Sequence, residues 1–292
     1  MLEALLWDVD GTLAETERDG HRVAFNRAFE ALGLPWHWDS LRYGRLLRVT
    51  GGRERLLAAI GEEYNAPATD AARDALAREL HRTKNRCYAQ RVSEGGIELR
   101  PGVAELIADA RARGLRQAIV TTTSRANVEA LLGHHLGRTW ADRFDAVVCG
   151  EDVRAKKPDP EAHRLALAML GLGARQAVAI EDSGPGAQAA LSAGVPVVVT
   201  RSFYFQDDPV EAALAIGPGL HTCEGWRPAP GTRARSRILL QDLVDWHGGA
   251  GLAEVTTPSA EGARAAAAPR AAADAMRSAH PWSRPARPSA AR

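Results

Sequence analysis

Five short apolar runs constrain this chain more than any other feature: residues 2–7, 115–120, 146–149, 177–180 and 195–199. Each is apolar at several consecutive positions, the pattern of a strand buried on both faces of a parallel sheet. Between the later runs lie helical patterns at 103–113, introduced by Pro101-Gly102, then at 126–132 and 161–170. Asp159 is placed to cap the last of these, with Pro160 at its first helical position. Strands and helices in alternation make βαβ units, so the predicted class is α/β with a doubly wound parallel sheet.

Residues from about 14 to 96 break that alternation. Val23, Phe25, Phe29 and Leu32 recur at helical spacing, as do Leu46, Leu47, Leu56, Leu57 and Ile60, and a long helix is predicted from Asp70 to about Gln90. We read residues 16–96 as an inserted α-helical cap lying over the carboxyl edge of a sheet built from 1–15 and 97–250. Residues 251–292 hold 15 alanines and five prolines, with six arginines against three acids. Little there can be buried, and the segment reads as a disordered tail or a weak basic arm.

Composition removes several classes of function. With 37 basic and 36 acidic side chains there is no electrostatic case for a nucleic-acid partner. No window approaches ~18 consecutive apolar residues, so no membrane span is predicted. The opening MLEALLWDVDG is too short and too acidic for a signal peptide. Three scattered cysteines, Cys87, Cys149 and Cys223, suit a reducing cytoplasm rather than a disulfide framework. Only three of the basic residues are lysines, Lys84, Lys156 and Lys157.

Chemistry gathers where the strands end. Asp8-Val9-Asp10-Gly11-Thr12 follows the first run and Thr121-Thr122-Thr123-Ser124 the second. Lys156-Lys157-Pro158 follows the third, and Glu181-Asp182-Ser183-Gly184 the fourth. Ligands of an open α/β sheet bind at this edge, and carboxylates, hydroxyls and an ammonium suit Mg2+ together with a phosphate. Asp8 can attack phosphorus as an ionised nucleophile. Asp10, where the strand ends, can lend a main-chain carbonyl to the metal while its side chain moves a proton to and from oxygen. Asp182, with Glu181 as a further candidate, would hold the metal; Thr122 would donate to a phosphoryl oxygen and Lys157 would offset the clustered negative charge.

These four segments, in this order, resemble the motifs of the haloacid dehalogenase superfamily, with Trp7 where many members carry phenylalanine. AETERDGHRVAFNRAF, TGGRERL, ELRPGVAEL, VTTTSRANVEAL, KKPDPE and AIEDSGPGA are together similar to the CbbY-type phosphatases. The resemblance spans about residues 1–200, loosens from Phe203 to about Arg237, and does not reach the tail. It implies a haloacid dehalogenase-like core with a helical cap. It further implies Asp8 as nucleophile, Asp10 as acid and base, Asp182 as a magnesium ligand, and hydrolysis of xylulose-1,5-bisphosphate, an inhibitor of ribulose-bisphosphate carboxylase in the Calvin cycle. A phosphosugar mutase like β-phosphoglucomutase shares these motifs and stays open as an alternative. So do a phosphoglycolate-type phosphatase and a binding module that takes phosphate only as a signal.

A bisphosphate needs a second anion site. Thr50-Gly51-Gly52-Arg53-Glu54-Arg55 offers main-chain donors, close approach through glycine, guanidinium forks and a helix N-terminus. Glu17 and His21, at the entry to the cap, are candidates for the sugar hydroxyls, and Thr123, Ser124 and Arg125 for further contacts on the core side. Arg53 and Arg55 also read as solvated helix charges, and His21 as a structural residue. Lys84 is undecided between cleft and cap surface, base rates favouring the surface. His134-His135 reads as a loop pair, Trp36 and Trp38 as cap packing or a domain seam, and Gly171-Leu172-Gly173 as a helix C-terminus. A capped monomer acting on a small phosphosugar is the default partnership.

Overall fold

The computed structural model describes residues 1–231 and 235–255; the segment read as a tail lies outside the described residues from 256 onward. Strand β1 (Ala4–Trp7) leads into the cap helices α1 (Arg22–Ala31), α2 (Ser40–Leu46), α3 (Gly52–Ile60) and α4 (Asp70–Ser93). The core resumes with α5 (Val103–Ala112), β2 (Arg116–Val120), α6 (Arg125–Leu136) and β3 (Ala146–Val148). It continues through α7 (Glu161–Leu170), β4 (Ala177–Glu181), α8 (Gly184–Ser192), β5 (Val197–Thr200), β6 (Ala215–Gly217) and α9 (Leu240–Val255).

All five predicted strands form: β1, β2 and β3 are trimmed by one or two residues, β4 gains Glu181, and β5 starts at Val197 and runs on to Thr200. They lie parallel in the order β3-β2-β1-β4-β5-β6. The sixth, β6, was not anticipated, although Ala215 and Ile216 close the apolar stretch 212–216; it adds at the edge, with Ala215 opposite Val198. Alternate residues of each strand feed two cores. Leu5, Trp7, Ile119, Val178 and Ile180 pack with residues of α5, α6 and α9 on one face. Leu6, Val120, Ala179, Val197 and Val199 pack with residues of α7 and α8 on the other. The strand order reverses between β1 and β4, which opens a crevice at their carboxyl ends.

The cap carries its own core, with Phe25, Phe29, Trp36, Trp38, Tyr43 and Leu56 buried together. Trp38 meets Phe29 edge-on at 4.9 Å. Both cap indoles are hydrogen-bonded within the cap, Trp36 to the Tyr64 carbonyl at 2.6 Å and Trp38 to Glu63 at 2.7 Å, so these residues pack the cap rather than a seam. The cap joins the core through a narrow neck. There Ala14 bridges Leu99, and the Arg100 N–H donates to the Leu13 carbonyl at 2.8 Å.

Three local readings shift. His134 and His135 are in the last turn of α6 rather than in a loop, with His135 Nε2 2.9 Å from the Ile97 carbonyl oxygen. Asp159 accepts from the Glu161 N–H at 2.9 Å, while Pro160 holds the capping position, one residue later than expected. Helix α9 runs past the expected core boundary at residue 250. Gly171 does end α7 in the left-handed conformation.

Candidate active site

The floor of the site is built from the ends of β1 and β4. Asp8 directly follows β1, Glu181 ends β4 and Asp182 follows it, so parallel pairing of these neighbouring strands brings three carboxylates together. Each offers an oxygen within 4.8 Å of the others, and all three residues are buried. Lys157, in the loop before α7, lies among them. Its Nζ donates to Asp8 Oδ1 at 2.7 Å, Glu181 Oε1 at 2.8 Å and the Val120 carbonyl at 2.8 Å. An ammonium has three protons, and all three are used.

Burial pushes the Asp8 carboxyl up to about 7, with the Glu181 and Asp10 charges adding to it and Lys157 opposing. Burial and the Asp8 charge likewise hold Asp182 well above the usual carboxylate range. Glu181 goes the other way: burial raises it, but the Lys157 and His163 contacts outweigh burial and hold it low. Burial lowers the Lys157 ammonium, and the attraction of Asp8 and Glu181 more than reverses this. Ionising Asp8 and Asp182 together would thus leave negative charge that Lys157 does not balance. Hard carboxylate oxygens around such a deficit fit a divalent cation. Glycine at 11 keeps the space: its φ is +86°, and a Cβ there would meet Asp182 Oδ2 at 2.0 Å.

Asp10 turns away from this group. Thr16 Oγ1 donates to its Oδ1 at 2.6 Å and His21 Nε2 lies 2.9 Å from the same oxygen. Burial raises Asp10, but His21 and Thr16 prevail and its carboxyl is held well below the ordinary range. Its carboxylate is not one of those that converge on the possible cation position.

The roof comes from the cap. Two small cavities, of about 50 and 30 Å³, lie between cap and floor and share Asp10, Glu17, Gly51, Arg55 and Thr122 in their walls. Arg55, at the start of α3, is buried; its Nη1 donates to Tyr43 Oη at 2.9 Å, and Tyr43 Oη donates to Glu17 Oε2 at 2.5 Å. Lys84 also lines the roof and is 2% exposed, so the surface reading of it is overturned. Its Nζ sits 5.3 Å from the Phe25 ring centroid and 5.4 Å from that of Tyr88. Burial draws its ammonium down to about 8, Asp10 and Glu17 opposing. His21 stacks on Tyr88 at 4.3 Å.

Other expected residues are distributed unevenly. Thr50 Oγ1 donates to the Lys157 carbonyl at 2.5 Å, tying cap to core, and Gly51 and Gly52 line the cleft. Thr122 lines both small cavities, Thr123 one of them, while Ser124 faces an outer cavity of about 420 Å³ beyond Gly52 and Thr122. Arg53 pairs with Asp74 at 2.5 Å and lines only that outer cavity. Arg125 lines none of these three cavities: its Nη2 donates to Asp152 at 2.5 Å.

Four residues that support the site were missed. Ser202 Oγ donates to Asp182 Oδ2 at 2.5 Å. Arg100 donates to the main-chain carbonyls of Gly11, Thr200 and Arg201, fastening the loop after β1 to the end of β5. Tyr43 joins Glu17 to Arg55, and His163, fully buried on α7, lies 3.4 Å from Glu181. Of these only His163 carried a sequence signal, a histidine on the apolar face of a helix six residues after Lys157.

Residues 2–194 match the family model of the haloacid dehalogenase-like hydrolases. Protein CbbY of Cupriavidus necator, plasmid-borne, is 44% identical over 254 residues, which is 85% of this chain and 98% of that protein. CbbY from Rhodobacter sphaeroides, solved in complex with phosphate, superposes with a TM-score of 0.68 at 42% identity, over 73% of this chain and 92% of that one. A mutant of that protein, solved in complex with xylulose-1,5-bisphosphate, superposes equally well. The chain belongs to the haloacid dehalogenase-like hydrolases and, within them, to the CbbY family, and it is a phosphatase of that superfamily.

Proposed function

We propose that this enzyme removes a phosphoryl group from a sugar bisphosphate, with xylulose-1,5-bisphosphate as the substrate and Mg2+ as the cation. One observation carries the reading: a carboxylate floor suited to phosphoryl transfer faces, within one cleft, a buried roof bearing Arg55, Lys84 and His21. Two anion sites under one cap fit two phosphates. The likeness to a CbbY protein that binds xylulose-1,5-bisphosphate supports the choice of sugar.

Asp8 Oδ forms a bond to phosphorus as the bond from phosphorus to the sugar oxygen breaks, and Asp10 gives that oxygen its proton. Asp10 then takes a proton from a water whose oxygen attacks phosphorus, releasing phosphate and freeing Asp8. Thr122 donates to a phosphoryl oxygen, and Lys157 orients Asp8. A cation held by Asp8, Asp182 and the Asp10 carbonyl would neutralise charge building on the phosphoryl oxygens. Held low by His21 and Thr16, Asp10 sits in the form that receives a proton, which suits the second half of the reaction. The first half requires those two bonds to loosen.

The cavities under the cap are far smaller than the ~300–1,000 Å³ of a small-molecule site, so the cap must lift to admit a substrate and closes down on it. The test is phosphate release from xylulose, ribulose and fructose bisphosphates with Mg2+. Fastest release from the first is expected. No release, with an isomerised monophosphate formed instead from a hexose phosphate, would favour the mutase.

A further inference from the structure

The loop after β5, residues 202–208, belongs to the core yet touches both halves of the cleft. At its start Ser202 bonds to Asp182, as described above. The Phe203 N–H donates to Glu15 at 3.2 Å, and the Arg18 guanidinium lies 4.5 Å from the centre of the Phe203 ring. Tyr204 then reaches across to α2. Its Oη is 3.0 Å from Ser40 Oγ, and its ring centroid is 5.9 Å from that of Tyr43. The ring lies so close over Gly44 that a Cβ there would meet it at 3.1 Å. Phe205 lines the reaction cavity, and beyond it Asp208 pairs with Arg48 of the cap at 3.4 Å.

Tyr43, against which Tyr204 packs, is the residue that joins Glu17 to Arg55 in the roof. Its other ring neighbours, Phe25 and Trp38, belong to the cap, so Tyr204 is the core's contribution to holding it. We propose that Tyr204 is a positioning residue: it clasps α2 to the core when the cap is down, and by bracing Tyr43 it sets Arg55 for the distal phosphate and Glu17 for the sugar hydroxyls. The proposal rests on the reading of the roof as a distal-phosphate site.

An aromatic contact and one hydrogen bond are each worth about a kilocalorie per mole, and affinity falls in proportion to the closed fraction they maintain. Steady-state kinetics would compare Tyr204→Ala, Tyr204→Phe and Gly44→Ala on xylulose-1,5-bisphosphate and on p-nitrophenyl phosphate, which has no second phosphate. Hydrogen exchange of α2 would be followed without ligand. Tyr204→Ala should raise KM for the bisphosphate roughly tenfold, change kcat/KM for the aryl phosphate by less than about twofold, and speed exchange in α2. Tyr204→Phe, which keeps the ring, should restore KM to within about threefold of the parent.

Gly44→Ala favours the helix itself but wedges against the ring. It should raise KM in the same direction without lowering Tm, which general damage to folding would not do. An unchanged bisphosphate KM in Tyr204→Ala, or equal losses on both substrates, overturns the proposal. Should the parent enzyme leave xylulose-1,5-bisphosphate intact, the substrate assignment fails. The clasp is then judged on α2 exchange in Tyr204→Ala and Gly44→Ala: faster exchange supports it, unchanged exchange overturns it.

Discussion

Two of the three lysines are buried on opposite sides of one cleft, and they are held in opposite ways. Lys157, in the floor, has two carboxylates and a carbonyl for its three protons, and its ammonium is stabilised. Lys84, in the roof, lies over two aromatic rings with no carboxylate of the described residues in bonding range, and burial brings it down to about 8. The floor is complete before substrate arrives. The roof keeps a cation in waiting, and a phosphate would give it the partner it lacks.

The sharpest way to break this comparison is to remove the nucleophile. Asp8→Asn should reduce phosphate release by about 10⁴-fold or more while the protein stays folded, since the amide oxygen still accepts from Lys157. Unchanged turnover would sink the mechanism. Next is Lys157→Arg, expected to lower kcat by roughly 10²–10³-fold, because a planar fork cannot place three donors where a compact ammonium does. If that variant kept full activity, Lys157 would be no more than a counter-charge.

Exchange for methionine separates the two lysines further. Lys157→Met leaves Asp8 and Glu181 without their cation and should destabilise by about 3–5 kcal/mol. Lys84→Met removes an unpaired buried charge; Tm should hold or rise by a few degrees, while KM for the bisphosphate rises about tenfold. Thermal scans and kinetics on the same samples would show whether the signs differ. The smallest effect is on pH. Lys84 loses its proton near pH 8 in the folded chain and at its ordinary value of 10.5 when unfolded. The unfolded chain binds more protons between those values, so this group's contribution to stability rises with pH across that window. Its ability to hold an anion falls over the same range. kcat/KM for the bisphosphate should therefore decline above about pH 8, and Lys84→Met should lose that limb of the profile.

The same division explains what was legible in the sequence. Asp8, Asp182 and Lys157 were readable because parallel strands must end together, so residues far apart along the chain are placed by the fold itself. The short apolar runs gave five strands because a strand covered on both faces is apolar throughout; β6 escaped because its stretch, 212–216, is alanine-rich and not distinct from a piece of helix. The roof depends instead on which way each helix turns. Lys84 lies on a long, mostly polar helix whose spacing does not declare an inward face. Tyr43 carries no sequence signal, and its bonds to Glu17 and Arg55 follow from tertiary packing alone. Arg125 had the right type and neighbourhood for a phosphate contact, yet Asp152 holds it elsewhere.

The neck at Ala14 and Leu99 also shapes the order of assembly. Trp7 and Gln117 sit on adjoining strands and bond at 3.0 Å, though they lie 110 positions apart, and most of that span is cap. Bringing such distant strands together from an open chain is entropically unfavourable. A cap already condensed around Phe29 and Trp38 presents its two ends side by side and shortens the effective loop, which lowers that barrier by about 1 kcal/mol. The cap would then serve as a scaffold for the centre of the sheet as well as a lid. Pulse-labelled hydrogen exchange should find α1 and α4 protected before β1, and simultaneous protection would refute that order.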